Sequence, residues 1–346
     1  VRERPKQFLP LLGKESLVRM TANRIADIAP LENLLILTNA HLLDRAREEF
    51  PGIPEENLIG EPKSCNTAPC IALAAALCEK RWGGDTAMVV LSADHYIGDE
   101  EGYRRALRTA LDTAREERCL VTLGIPPTRP ETGYGYLELS KKFTEIPEGE
   151  SAKLVRFREK PDAETATQYL AEGRHLWNKG DFVWLCSSIL EEFERSMPDL
   201  LERARKAASA SNPVAPEVME EYYGALPKEL CTSIDFGIME QAENIRCVPC
   251  QVPWDDVGAW PVLKRLRGEE MDEEGNLSLI RHLSIDSRNN VVAGNESEHG
   301  VVVTAGVEGL VVVRDGEKVL VVAEDKIELM RQVVPGLKEK GWDHLL

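Results

Sequence analysis

Two carboxylates stand where strands or turns end. Asp94 closes the run Ala87-Met-Val-Val-Leu-Ser-Ala-Asp94, and Trp254-Asp-Asp-Val-Gly-Ala-Trp260 offers one of Asp255 and Asp256. A short apolar run that ends in an acid is how a buried strand delivers one carboxylate to the carboxyl edge of a parallel sheet, where open α/β sheets bind ligands. Two lysines sit beside prolines, Lys6 and Lys160. Two carboxylates from distant segments suit a hard divalent cation such as Mg²⁺, which takes one or two protein oxygens and fills its other positions with water and phosphate. Lysines serve phosphate as point charges. The chemistry these residues can do together is the positioning of phosphates. His95 follows Asp94 and reads as a residue that orients the strand end or a water, not as a base. The chain offers no convincing Ser/His/Asp or Cys/His set and no Walker-type loop.

The elements that must position these groups follow from the pattern. Leu17, Met20, Ile25 and Ile28 repeat at helical spacing, Leu34 to Thr38 is a short strand, Leu42 to Phe50 a helix and Asn57 to Gly60 a strand. Asn66-Thr67 ahead of Pro69 starts a helix whose run Ile71 to Cys78 is apolar all round, hence buried. After the Asp94 strand come an amphipathic helix from about Glu101 to Glu117 and the strand Cys119 to Ile125. That alternation predicts an α/β fold with a doubly wound, mostly parallel sheet. Tyr134 to Ser140 and Leu154 to Glu159 alternate like edge strands, with a polar turn between them, an antiparallel insertion of the kind that commonly forms one wall of a ligand cleft. Helices start near Ala163, Ser187 and Glu217. The acidic Gly268 to Gly275 reads as a linker, dividing a catalytic domain, 1–267, from a small β-rich domain, 268–346. In the latter, Val-rich runs recur about every ten residues with Gly at the turns, which predicts a β-coil closed by a helix from Glu324 to about Lys340.

Composition bounds the function. A formal charge of −17 over 346 residues excludes a nucleic-acid partner held by phosphate neutralisation. No apolar run approaches a membrane span, so no membrane partner is expected and the location is read as cytoplasmic. The eight cysteines read as reduced and mostly buried. Cys247-Val-Pro-Cys250 has zinc-like spacing but no second pair, and reads as a strand. Trp177, Trp184, Trp254 and Trp260 read as packing residues.

The motifs, taken in order, carry a resemblance. They are Arg4-Pro-Lys-Gln-Phe-Leu-Pro-Leu11, Glu61-Pro with Asn66-Thr-Ala-Pro69, Leu91-Ser-Ala-Asp-His-Tyr96, Thr132-Gly-Tyr-Gly-Tyr136, Glu159-Lys-Pro161, Trp177-Asn-Lys-Gly180, Ser233-Ile-Asp-Phe-Gly-Ile-Met-Glu240 and Asp256-Val-Gly-Ala-Trp260. Through nearly the whole chain they resemble the sugar-1-phosphate nucleotidyltransferases, and within them the mannose-1-phosphate guanylyltransferases. The resemblance implies that Asp94 and Asp256 hold Mg²⁺ and that Lys6 neutralises a triphosphate. It implies that Glu159 and Lys160 grip the sugar ring and its phosphate, that Asn178 and Asp235 bond sugar hydroxyls, and that Gly135 approaches the sugar through its amide. Asn66 and Thr67 would lie near the base. The implied substrates are GTP and mannose 1-phosphate, the products GDP-mannose and pyrophosphate, and the implied assembly a homodimer. Two departures stand against the family pattern. Its loop Gly-Gly-x-Gly-x-Arg and preceding strand should come before Arg4, and this sequence does not contain them; the chain as given is therefore expected to be inactive, its longer parent active. Lys63-Ser-Cys65 stands where the family more often has Gly-Arg, with Lys63 supplying the charge. Another base, another sugar such as a heptose, or an inactive binding homologue are the alternatives.

Overall fold

The computed structural model describes residues 5–258, 260–294 and 300–345. Arg4 and Ala259, parts of two motifs above, lie outside the described residues. The elements run α1 (Leu17–Arg24), β1 (Ile36–Asn39), α2 (Leu43–Glu49), β2 (Leu58–Glu61), α3 (Thr67–Trp82), β3 (Ala87–Val90), β4 (Tyr96–Ile97), α4 (Glu100–Glu117), β5 (Leu120–Ile125), β6 (Tyr136–Leu139), β7 (Ala152–Arg158), α5 (Ala163–Glu172), β8 (His175–Leu185), α6 (Cys186–Ser196), α7 (Pro198–Ser209), α8 (Pro216–Gly224), β9 (Ile245–Pro249) and β10 (Trp254–Asp255). Then come α9 (Val262–Leu266), β11 (Leu277–Ser278), β12 (His282–Ile285), β13 (Val291–Gly294), β14 (Val302–Ala305), β15 (Leu310–Asp315), β16 (Lys318–Ala323) and α10 (Val333–Glu339). The chain divides into a larger unit, residues 19–93 and 97–254, and a smaller one formed by 1–18, 94–96 and 255–346.

In the larger unit a six-stranded sheet runs in the order β3-β8-β5-β9-β7-β6. One apolar cluster packs α3, α6 and α7 on it; a second packs α4 with Val121, Leu123 and Val248. The strand β5 is buried throughout, because it is covered on both faces. The α/β class is as expected. The expectation of a mostly parallel sheet needs correction: β1–β2 and β5–β9 are parallel, but β3–β8, β5–β8, β6–β7 and β7–β9 are antiparallel. The reason is the eleven-residue strand β8, which lies between β3 and β5 and keeps the two strand–helix strands from pairing directly. From the sequence its motif stood out as a landmark and not as a strand. Helix α3 starts where expected, with the Asn66 side chain accepting from the Thr67 amide at 2.9 Å.

In the smaller unit alternate strands stack in parallel, β11 on β13 on β15 and β12 on β14, which is the coil that the ten-residue recurrence predicts. Buried asparagines tie the turns: the Asn276 carbonyl oxygen of the side chain accepts from the Asn290 amide and side chain, both at 3.0 Å, and Asn290 accepts from Leu310 N at 2.9 Å. The single closing helix expected from Glu324 is not continuous. A 3₁₀ stretch, Glu324–Gln332, leaves helical geometry at Lys326, and α10 begins only at Val333. Pro335 explains the late start, since proline is tolerated only in a helix's first turn. Among the described residues no helix is long and apolar enough to cross a membrane.

Candidate functional site

Three of the predicted residues meet in the smaller unit. The Lys6 ammonium sits 2.9 Å from Asp94 Oδ2 and donates to the Asp256 carbonyl at 2.7 Å, with the Val257 carbonyl at 3.4 Å. Both side chains of the Lys6–Asp94 pair remain about one third exposed, at 36% and 32%, so the pair is open to a ligand. The backbone bends sharply to offer those carbonyls: Val257 has φ +49°, a left-handed conformation that a β-branched residue adopts only when its surroundings force it. The two adjacent acids separate cleanly. Asp255 is buried and spent on the fold, with Oδ1 accepting from Val257 N at 2.9 Å and Oδ2 from Arg265 at 2.5 Å. Asp256 is half-buried, and its Oδ1 accepts from Gly258 N at 3.1 Å. His95 Nε2 lies 3.8 Å from Asp94 Oδ1.

The larger unit gathers Gly135, Glu159, Lys160, Asn178 and Asp235. Antiparallel pairing of β6 with β7 and β8 brings their ends together, and Asn178 N donates to the Gly135 carbonyl at 2.7 Å. A Cβ at Gly135 would stand 2.5 Å from Glu159 Oε2 and 3.3 Å from Asn178 Cβ, so only glycine leaves that carboxylate in place. Lys160, at φ +45°, pairs with Glu159 Oε1 at 3.2 Å. The Asn178 amide is oriented on both sides. Its Oδ1 accepts from Thr122 Oγ1 and Gly180 N, both at 3.1 Å, which turns Nδ2 to Asp235 Oδ1, also at 3.1 Å. Burial, and after it the Glu159 charge, push the Asp235 carboxyl up to about 6.

The segment of Asn66 and Thr67 reaches the same neighbourhood through the Thr67 hydroxyl and the Ala68 amide. Thr67 Oγ1 accepts from Ile234 N at 2.8 Å, and Ala68 N donates to the Thr232 carbonyl at 3.0 Å. Asn66 itself has φ +66°. Three of the four tryptophans read as packing residues do pack: Trp177 and Trp254 meet Tyr134 edge-on, and Trp184 stacks on Phe182. Cys247 and Cys250 are buried free thiols, Cys250 pushed up to about 12 by burial.

A raised Asp235 pKa gives a pH signature. The resemblance implies a sugar hydroxyl that donates to Asp235; such a bond needs the carboxylate, which protonation removes as the pH falls through about 6. Affinity for a sugar phosphate is expected to drop roughly tenfold per pH unit below that point. The ligand's own second ionisation, with pKa ~6, contributes in the same range. Asp235→Asn isolates the protein's share: titration calorimetry from pH 5 to 8 should show a shallower dependence in the variant, and identical profiles would refute the assignment.

Thr122, which orients the Asn178 amide, and Val257, whose carbonyl faces Lys6, were not among the residues predicted from the sequence.

The profile described as Nucleotidyl transferase matches residues 1–270, and the MannoseP isomerase/GMP-like beta-helix domain matches 280–337. The chain is 36% identical to the mannose-1-phosphate guanylyltransferase of Escherichia coli K12 over 97% of its own length and 70% of that protein's. It is 35% identical to the xanthan biosynthesis protein XanB of Xanthomonas campestris pv. campestris B100, over 97% and 69%. A crystal structure described as a mannose-1-phosphate geranyltransferase from Thermus thermophilus superposes with TM-score 0.83 at 38% identity, covering 98% of this chain and 94% of that one. With both domain profiles matched in order and these relatives aligned along almost its whole length, the chain belongs to the nucleotidyl transferase family, in the group of mannose-1-phosphate guanylyltransferases that carry the β-helix domain.

Proposed function

We propose that the protein is a cytoplasmic enzyme that transfers GMP from GTP to mannose 1-phosphate, giving GDP-mannose and pyrophosphate. Residues 1–267 would carry the chemistry and 268–346 the assembly. The observation that carries the reading is the Lys6 ammonium lodged against the Asp94 carboxylate and the Asp256 carbonyl, which draws three segments remote in sequence into one charged centre.

The donor set fits Mg²⁺. Asp94 and Asp256 offer hard carboxylate oxygens from two separate segments. That suits an ion that takes one or two carboxylates and draws the rest of its shell from water and phosphates. Asp94 and Asp256 would hold it, and when bound it would offset phosphate charge and fix their geometry. The protein's own groups do the rest. Lys6 neutralises the triphosphate, and Lys160 the sugar phosphate. Glu159, Asn178 and Asp235 hold the sugar hydroxyls, and the Gly135 amide closes on the ring. Asn66 and Thr67 stand by the base. A sugar phosphate whose second pKa is ~6 is already ionised at neutral pH, so its oxygen attacks the α-phosphorus in line without a base, and the bond to pyrophosphate breaks. A panel of the four nucleoside triphosphates against mannose, glucose and heptose 1-phosphates tests the assignment. Pyrophosphate release fastest with GTP and mannose 1-phosphate supports it; preference for another pair replaces it.

The homodimer has a candidate face. On the paired strands β12 and β14, Leu283 sits opposite Val303, and both are about half exposed, at 51% and 53%, with Ile285 at 53% beside them. Burying such a row against its copy removes contiguous apolar surface from water. Light scattering at micromolar concentration should give twice the chain mass, and Val303→Asp should halve it. A monomeric unmodified protein would contradict this.

A further inference from the structure

Strand β8 does not run straight past the candidate sugar site. Its pairing with β5 jumps from Asn178↔Gly124 to Phe182↔Thr122, so Lys179, Gly180 and Asp181 stand opposite the single Leu123. Gly180 sits at the crest with φ +76°, a conformation suited to glycine. This bulge is sealed from inside. Lys179 and Asp181, 2% and 0% exposed, form an ion pair across its neck. The Tyr103 hydroxyl donates to Asp181 Oδ2 at 2.6 Å, and the Lys179 ammonium lies 4.9 Å from the Tyr103 ring centre. The other Asp181 oxygen faces Ser92 N at 3.4 Å, and the buried Arg24 guanidinium lies 5.7 Å from the same ring.

Burying two charges is a weak source of net stability, because desolvation consumes most of the attraction, and well-packed apolar pairs often replace such bridges at no loss. The ion pair must be judged by the conformation it selects. Inside the bulge, Gly180 N–H donates to Asn178 Oδ1, and that bond leaves the Asn178 Nδ2 to face Asp235.

We propose that the buried Lys179–Asp181 pair is a clamp on the β8 bulge that aims the Asn178 amide, which makes Lys179 and Asp181 positioning residues for sugar-phosphate binding. Neither touches the ligand; both act through Gly180. The proposal rests on the functional reading above, and its test separates the two. The double variant Lys179→Met with Asp181→Leu removes both charges and keeps the bulk, so neither member of the pair is left as a lone buried charge; the Tyr103 hydroxyl and Ser92 N lose their acceptor, so the melting temperature should fall modestly while the protein still folds. Hydrogen exchange at the Gly180 and Asp181 amides should accelerate by about tenfold or more as the neck loosens. In titration calorimetry on the full-length gene product, Kd for mannose 1-phosphate should rise about tenfold, and Kd for GTP by less than about threefold, because an oriented hydrogen bond is lost at one site only. Tyr103→Phe, which loosens the clamp without removing a charge, should move the same two readouts in the same direction by about three- to fivefold, and decides the matter where the double variant does not fold. A folded variant with unchanged exchange and unchanged mannose 1-phosphate affinity overturns the clamp, as does equal weakening of both ligands. An unmodified protein that binds no mannose 1-phosphate overturns the functional reading, and the exchange measurement then still decides the clamp.

Discussion

Asp94→Asn and Asp256→Asn, each made in the full-length gene product, are expected to lower turnover by about 10²-fold or more at saturating substrates and Mg²⁺, the usual cost of removing one preorganised electrostatic group. Each change keeps the side chain's shape. At position 256 the amide oxygen of the substituted side chain can still accept from Gly258 N, as the Asp256 carboxylate does at 3.1 Å, so the turn should hold while the charge is lost. Asp255→Asn is the contrasting control. Its carboxylate is buried against Arg265 and Val257 N, so its loss should appear as a lowered melting temperature, by breaking a partly buried pair. Near-normal turnover in both Asp94→Asn and Asp256→Asn, measured by pyrophosphate release, would remove these residues from the chemistry.

Lys6→Met is expected to cost about 10²-fold in kcat/KM for the nucleotide, because one ammonium both faces Asp94 and would meet the triphosphate. Lys6→Arg should recover little of it. The Lys6 ammonium reaches the Asp256 carbonyl at 2.7 Å and the Val257 carbonyl at 3.4 Å while pairing with Asp94 at 2.9 Å. A compact point charge suits that crowded corner, and a planar guanidinium is wider and differently directed. Steady-state kinetics with the nucleotide varied would check this, and an arginine variant at full activity would show that only net charge matters there.

Much of this was legible in the sequence because the signals were local. Asn66 ahead of Thr67 and Pro69 marks a helix start, and the structure shows the Asn66 side chain capping α3. The Val-rich runs beyond Gly275 pointed to the coil, because they recur about every ten residues with Gly at the turns. What stayed hidden depends on contacts between segments far apart. No spacing rule says that β8 would lie between β3 and β5, since strand order is set by packing across the whole sheet. Residue types alone left Asp255 and Asp256 open, and only the family motif pointed to Asp256; the structure adds the physical difference, that Asp255 is buried and bonded to Arg265. Residues such as Thr122, fully buried and bonded to Asn178, look from the sequence like any other strand threonine.

Above all, a Mg²⁺-loaded guanine nucleotide should be held at the Lys6, Asp94 and Asp256 centre. Calorimetric titration of GTP into the full-length gene product, with Mg²⁺ and again with EDTA, tests this most directly. One GTP per chain is expected, with affinity at least about tenfold weaker in EDTA and in Asp256→Asn, as the loss of one charged contact implies. Equal affinity with and without the metal, or equal binding of every nucleotide by the Asp256→Asn variant and the unmodified protein, would contradict it.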